Sequence, residues 1–272
     1  MAELDRVDWA AGVAGRAYGL RIGLRANDAR ALERIRRVLP PGWTGSSSPL
    51  VDRVYSLVVD DATGSADAER GCQLYQGAKP LGGRLSLDEV CEVLENSLHP
   101  YVAEFARRRL FVHAAVVGWR GRAIVLPGTS FAGKTTLVRA LVDAGATFYS
   151  DEYAVFDARG RVHPFARPLS IREDGAAWPR RQAVESPGTQ ALPVGLVAMA
   201  RYRPGARWRP RRLAPGEAVL ALLANTVAAR RRPDVAFRTL REVVSGAQAV
   251  KGTRGEAQET ARSILCACAW GD

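Results

Sequence analysis

Nine consecutive residues, Gly128-Thr129-Ser130-Phe131-Ala132-Gly133-Lys134-Thr135-Thr136, constrain this chain more than any other stretch. They fit the pattern G-x-x-x-x-G-K-[ST], in which glycines let the backbone turn tightly and aim successive N–H groups at an anion. The flanks agree with it. Residues 123–126 read as a buried apolar strand ended by Pro127, and Leu137, Leu141 and Val142 recur at helical spacing up to Gly145, a helix C-cap. A strand, a glycine-rich turn and a helix in that order set the positive end of the helix dipole under a bound phosphate. Lys134 then reaches the β/γ-phosphates, and the Thr135 hydroxyl ligates Mg²⁺. The chain has three lysines, at 79, 134 and 251, and otherwise relies on arginine. A compact ammonium thus stands where a point charge suits phosphate.

A chain of 272 residues is long enough for one large domain or two moderate ones, and its 47% hydrophobic and 25% charged residues are those of a globular protein. No apolar run approaches the roughly 20 residues that span a bilayer, and the N-terminus has no signal-peptide pattern. Cysteines 72, 91, 266 and 268 show neither disulfide nor metal spacing, so a reducing cytoplasm is expected. The net charge of +11 would attract any polyanion. No zinc finger, helix-turn-helix or aromatic RNA-binding pattern accompanies it, so neither nucleic acid nor membrane is expected as a partner.

Along the chain, residues 17–25 alternate as one half-buried strand, and Asn27 or Asp28 caps a helix to about Leu39. Strands at 54–59 and 73–76 follow. Ser86 and Glu89 form a capping box for a helix that Pro100 is expected to break or kink. This strand–helix–strand–strand–helix order reads as an accessory α/β domain over residues 1–108. From 109 to 272 the texture changes. Apolar runs at 110–117 and 123–126, joined by Gly118-Trp119-Arg120-Gly121, form a hairpin leading into the glycine-rich turn. Short strands at 146–149, 153–156 and 161–165 come next, then an irregular loop over 173–192 and a strand over 194–202. A basic loop over 203–212 precedes helices at about 215–229, 233–246 and 256–267.

Chemistry gathers near the turn. Asp151 and Glu152 follow the strand after the turn's helix; in an open α/β sheet that end faces the phosphates. One carboxylate can hold Mg²⁺ while the other accepts a proton from an acceptor hydroxyl. His113 lies in the strand expected beside the turn's strand. Arg172, Arg201 and Arg203 are candidate clamps for a transferred phosphoryl group.

Together, Phe111-Val112-His113-Ala114-Ala115, residues 126–135, Ser150-Asp151-Glu152 and Pro168-Leu169-Ser170-Ile171-Arg172 resemble the HPr kinase/phosphorylase-related proteins. The resemblance is strongest over residues 110–172. It continues more loosely through residues 224–230, and residues 18–42 are similar to the shorter HPr-kinase-like branch, which includes lasso-peptide serine kinases. It implies a P-loop nucleotide-binding core of the kind shared with phosphoenolpyruvate carboxykinases: an α/β fold with a mixed sheet, a small N-terminal α/β domain and C-terminal helices. The implied activity is ATP- and Mg²⁺-dependent phosphorylation of a serine or other hydroxyl on a peptide or protein. Asp151 and Glu152 would supply base and metal ligand, with His113 and Lys134 beside them. The acceptor would approach through an arginine-rich rim, and a homo-oligomer is left open. The chain departs from the bifunctional members in having Glu152 for the second aspartate and Ser170 for an acidic residue, and in lacking their Arg-Pro-Gly-Arg-Asn segment. These departures argue against phosphorolysis and against HPr itself as substrate. The alternatives are a nucleotide-binding regulator with reduced catalysis and a kinase of a small-molecule hydroxyl.

Overall fold

The computed structural model describes residues 4–60, 71–128, 133–171, 180–184 and 186–268. The chain divides into two compact units, Met1–Arg107 and Arg108–Asp272.

The first unit begins with a hairpin of β1 (Ala11–Ala17) and β2 (Leu20–Ala26). The expected single strand over 17–25 is therefore two. Tyr18 and Gly19 have φ of 53° and 85°, the pair of left-handed residues that a tight hairpin turn needs to match strand twist. Alternation cannot reveal such a turn, because the side-chain pattern resumes in phase at Leu20. Asp28 caps α1 (Ala29–Ile35), its carboxylate accepting the N–H groups of Arg30 and Ala31. After β3 (Thr44–Gly45) come β4 (Arg53–Val59), β5 (Cys72–Gln76) and β6 (Lys79–Pro80), giving the sheet order β3-β1-β2-β4-β5-β6. The Ser86–Glu89 capping box opens α2 (Leu87–Phe105), which runs through Pro100 without ending. A proline inside a helix costs about 3 kcal/mol. Leu94, Leu98 and Val102, all fully buried on one face across the proline, each return about 1.5–3 kcal/mol. Packing wins over local propensity.

The second unit is a mixed sheet with helices on both faces. Its strands are β7 (Leu110–Trp119), β8 (Arg122–Pro127), β9 (Thr147–Ser150), β10 (Tyr153–Phe156), β11 (Val162–His163), β14 (Val194–Tyr202), β15 (Arg211–Arg212) and β16 (Gln248–Arg254). A separate ribbon pairs β12 (Leu169–Ile171) with β13 (Arg180–Gln182), so the expected loop over 173–192 holds a short strand. The main sheet runs β11-β10-β7-β8-β14-β16-β15, with β9 also on β7. Arg120 and Gly121, at φ 46° and 73°, close the β7–β8 hairpin. Strands β8, β14 and β16 are parallel, so their C-terminal ends lie at one end of the sheet.

Alternate residues of β7 and β8 feed two cores. Leu110, Val112, Ala114, Val116 and Val125 pack with α4 (Pro215–Leu223) and α5 (Pro233–Ser245). Ala115, Val117, Ile124 and Leu126 pack with α3 (Lys134–Asp143) and α6 (Ala257–Ala267). Burial on both faces explains why these strands read as continuous apolar runs. The helix expected to reach 229 stops at Leu223, and residues 225–227 instead bond to β7: His113 N–H donates to Asn225 O and Val227 N–H to Phe111 O. β16 was not expected at all. Among the described residues no helix is long and apolar enough to cross a membrane.

Candidate active site

Register brings the sequence-predicted residues together at the C-terminal end of β8. Ala114 of β7 stands opposite Pro127 of β8, and its N–H donates to Glu152 O at 3.1 Å. One residue earlier, His113 O accepts the Gly128 N–H at 3.1 Å, while His113 pairs with Tyr153 on its other side. The start of the glycine-rich segment, His113 and the acidic pair therefore form one row across three neighbouring segments of the sheet.

The acidic pair directly follows the end of β9, as its place after the turn's helix led one to expect. β9 and β10 both run antiparallel to β7 along the same edge, and Asp151 and Glu152 fall between them. Ser150 holds the bend at the pair: its side chain is buried, and Oγ accepts the N–H groups of Glu152 at 3.2 Å and Tyr153 at 3.0 Å.

Gly133 begins α3 in a left-handed conformation, φ 71° and ψ 22°. Lys134 Nζ donates to Gly128 O at 2.8 Å and so spans the segment from end to end. Burial pushes the Lys134 ammonium below its ordinary value, partly offset by the charges of Asp151 and Glu152. Loss of water and then the Lys134 charge hold His113 below its ordinary value. The His113 side chain is exposed on one side, with the Tyr153 ring 4.9 Å away between centroids. Thr135 is half-buried and Thr136 exposed in the first turn of α3. Thr129, Ser130, Phe131, Ala132 and Arg172 lie outside the described residues.

Glu152 is ion-paired with Arg167 Nη1. The neighbouring Phe165 explains the placement of this arginine: it is buried edge-on against Phe111 and Tyr153, and its N–H bonds to Tyr149 O. Burial, then the Glu152 charge and hydrogen bond, pushes the Tyr153 phenol well above its ordinary range.

Arg201 and Arg203 stand at the C-terminal end of β14 with exposed side chains. Among the described residues neither side chain makes a hydrogen bond or ion pair to the glycine-rich segment. The arginine that does is Arg254, at the end of β16, whose Nη2 donates to Gly133 O at 2.9 Å. Sequence reading missed Ser150, Arg167 and Arg254. Ser150 stood within a quoted motif without a role assigned to it and Arg167 stood beside one, whereas residues 248–254, with Gly252 and polar positions, carry no clear strand signal.

Among the described residues no group of three or more His, Cys, Asp or Glu side chains is placed to hold a metal. The donors at hand, the carboxylates of Asp151 and Glu152 and the Thr135 hydroxyl, are hard oxygens. They suit Mg²⁺, which takes few protein ligands and keeps waters or phosphates as the rest. No protein-family model matches the chain, and no curated protein matches it.

Proposed function

We propose that the second unit is an ATP- and Mg²⁺-dependent kinase that transfers the γ-phosphate to a serine or other hydroxyl of a peptide or protein. The observation that carries this reading is the single row of Gly128, His113 and Glu152, bridged by Lys134 to the helix that opens at Gly133. The row puts a cation, a helix N-terminus and two carboxylates at one end of a sheet. That combination suits phosphoryl transfer, where positioning and charge stabilisation supply nearly all the catalysis.

In this reading the residues 128–136 form a P-loop. Its backbone N–H groups receive the phosphates, and Lys134 moves from Gly128 O to the β/γ-oxygens, where its charge stabilises the transition state. Thr135 and the acidic pair would hold Mg²⁺, which when bound neutralises phosphate charge. Arg167 pairs with Glu152 and orients it, and Asp151 accepts the proton of the acceptor hydroxyl. His113, neutral near pH 7 because its pKa is lowered, orients the acceptor or a phosphate oxygen. Exposed Arg201 and Arg203, with Arg230, Arg231 and Arg232, supply positive charge for an acidic acceptor.

The test is transfer from γ-labelled ATP, with Mg²⁺, to serine- and threonine-containing peptides, in the wild type and in Lys134→Ala. Labelled peptide that disappears in the variant supports the reading. Failure of the wild type to bind ATP by calorimetry overturns it. ATP binding without transfer to any hydroxyl would favour the nucleotide-binding regulator instead.

A further inference from the structure

Arg254 takes no part in the chemistry just described, yet its surroundings are unlike those of the chain's other arginines. It is 3% exposed, the one arginine so deeply buried among the described residues. Its Nη1 donates to Gly255 O at 2.9 Å, its Nη2 donates to Gly133 O at 2.9 Å, and its guanidinium carbon lies 5.0 Å from the centre of the Tyr202 ring. Its Nε, also buried, has no hydrogen-bond partner, and the side chain makes no ion pair among the described residues. A buried guanidinium normally makes an ion pair with a carboxylate, because leaving the charge uncompensated is costly; here the more distant charge of Glu256 offsets burial only in part.

The position makes this burial less favourable still. Gly133 O is also the acceptor for Leu137 N–H, the opening bond of α3, so Arg254 sits against the helix's first turn. A helix N-terminus carries about half a positive charge. Lys134 brings its ammonium to Gly128 O, at the other end of the same segment. Two cations and a helix dipole of the same sign thus bracket residues 128–133, and burial pushes both cations towards losing their charge. Asp151 and Glu152 offset the burial of Lys134 in part, and Tyr202 and Glu256 that of Arg254, but burial outweighs them, so a further anion between the two cations would stabilise both.

We propose that Arg254 is a positioning residue for a polyphosphate chain. It fixes the Gly133 carbonyl and with it the first turn of α3, and its own charge is compensated when the phosphates are bound. This rests on the phosphate-binding reading of residues 128–136 and adds to it a residue from the far end of the chain. Binding and stability are then coupled: the phosphate chain stabilises the folded protein partly by relieving the charge cluster.

The experiment uses the full chain and sodium tripolyphosphate without metal, read by calorimetry and by thermal unfolding against a NaCl control of equal ionic strength. The wild type is expected to bind and to unfold at a higher temperature with tripolyphosphate present. Arg254→Met is expected to weaken tripolyphosphate binding at least tenfold and to lose most of the thermal shift. Arg254→Lys, which keeps the charge but not the planar fork, is expected to bind three- to tenfold more weakly than wild type. A merely structural role would lower the unfolding temperature without tripolyphosphate and leave the dissociation constant within twofold of wild type; that result overturns the proposal. Should Arg254→Met fail to fold, Arg254→Lys decides by the same criterion. A wild type that binds no tripolyphosphate overturns the phosphate-loop reading itself. A wild type that binds, with variants that bind equally well, overturns only the role of Arg254.

Discussion

Replacing Gly133 by alanine probes how the glycine-rich segment joins α3. The residue has φ 71°, where an L-residue with a Cβ is strained by about 1–2 kcal/mol. A Cβ at this position would lie 2.5 Å from Arg254 Nη2. The tip of a solvated arginine would swing aside at little cost. Arg254 is instead 3% exposed and holds two carbonyls, so moving it breaks the bond to Gly133 O. A hydrogen bond from a charged group contributes about 1.5–3 kcal/mol. The two effects sum to roughly 3–5 kcal/mol, a large part of the about 5–15 kcal/mol that holds a domain folded. For a domain the size of Arg108–Asp272, each kcal/mol moves Tm by about 2–4 °C. The expected fall is therefore roughly 6–20 °C. The assay is a double-mutant cycle by urea and thermal unfolding, with Gly133→Ala, Arg254→Ala and the pair. Without the arginine side chain, Gly133→Ala should cost only the backbone strain, so the coupling should be about 1.5–3 kcal/mol. Additivity within about 0.5 kcal/mol would refute the reasoning, because the clash would then not involve Arg254.

Other outcomes follow from the site. Lys134→Ala should abolish transfer while leaving the fold intact by circular dichroism, and should raise the His113 pKa in an NMR titration, since one of the two causes lowering it is gone; turnover at the wild-type rate would end the nucleotide reading. Asp151→Asn should still bind ATP–Mg²⁺ but transfer at least about 10²-fold more slowly. Glu152→Gln should need more Mg²⁺ and be partly rescued by it, and the opposite pattern would exchange the two roles. His113 carries a folded-state pKa below its ordinary 6.5, so the unfolded chain takes up its proton first as pH falls. Its contribution should therefore make the protein less stable from about pH 6.5 downward, through the folded pKa. His113→Gln should flatten that acid limb in pH-dependent unfolding; an unchanged limb would mean that His113 is not depressed.

How much was legible follows from the range of the forces involved. Asp28 and the Ser86–Glu89 box are read from a few adjacent residues, because capping is a bond between near neighbours. The β7–β8 hairpin and the helix after Gly133 were equally readable: apolar runs, a turn with glycine and helical spacing are local statements. So were the residue types of the site, since Lys134, Asp151 and Glu152 stand within one strand–helix–strand passage. What lay beyond the sequence depended on partners distant along it. The alternation over 17–25 hid a turn because a tight hairpin keeps the side-chain phase, and Pro100 was absorbed because a buried face outweighs one lost hydrogen bond. The acidic pair lies beside His113 only because β7 offers one edge to both β9 and β10. β16, with weak strand character of its own, exists because β14 pairs with it, and that pairing carries Arg254 to Gly133, 121 residues away along the chain. Local chemistry named the groups that could meet a phosphate, and tertiary packing decided which buried cation stands behind them.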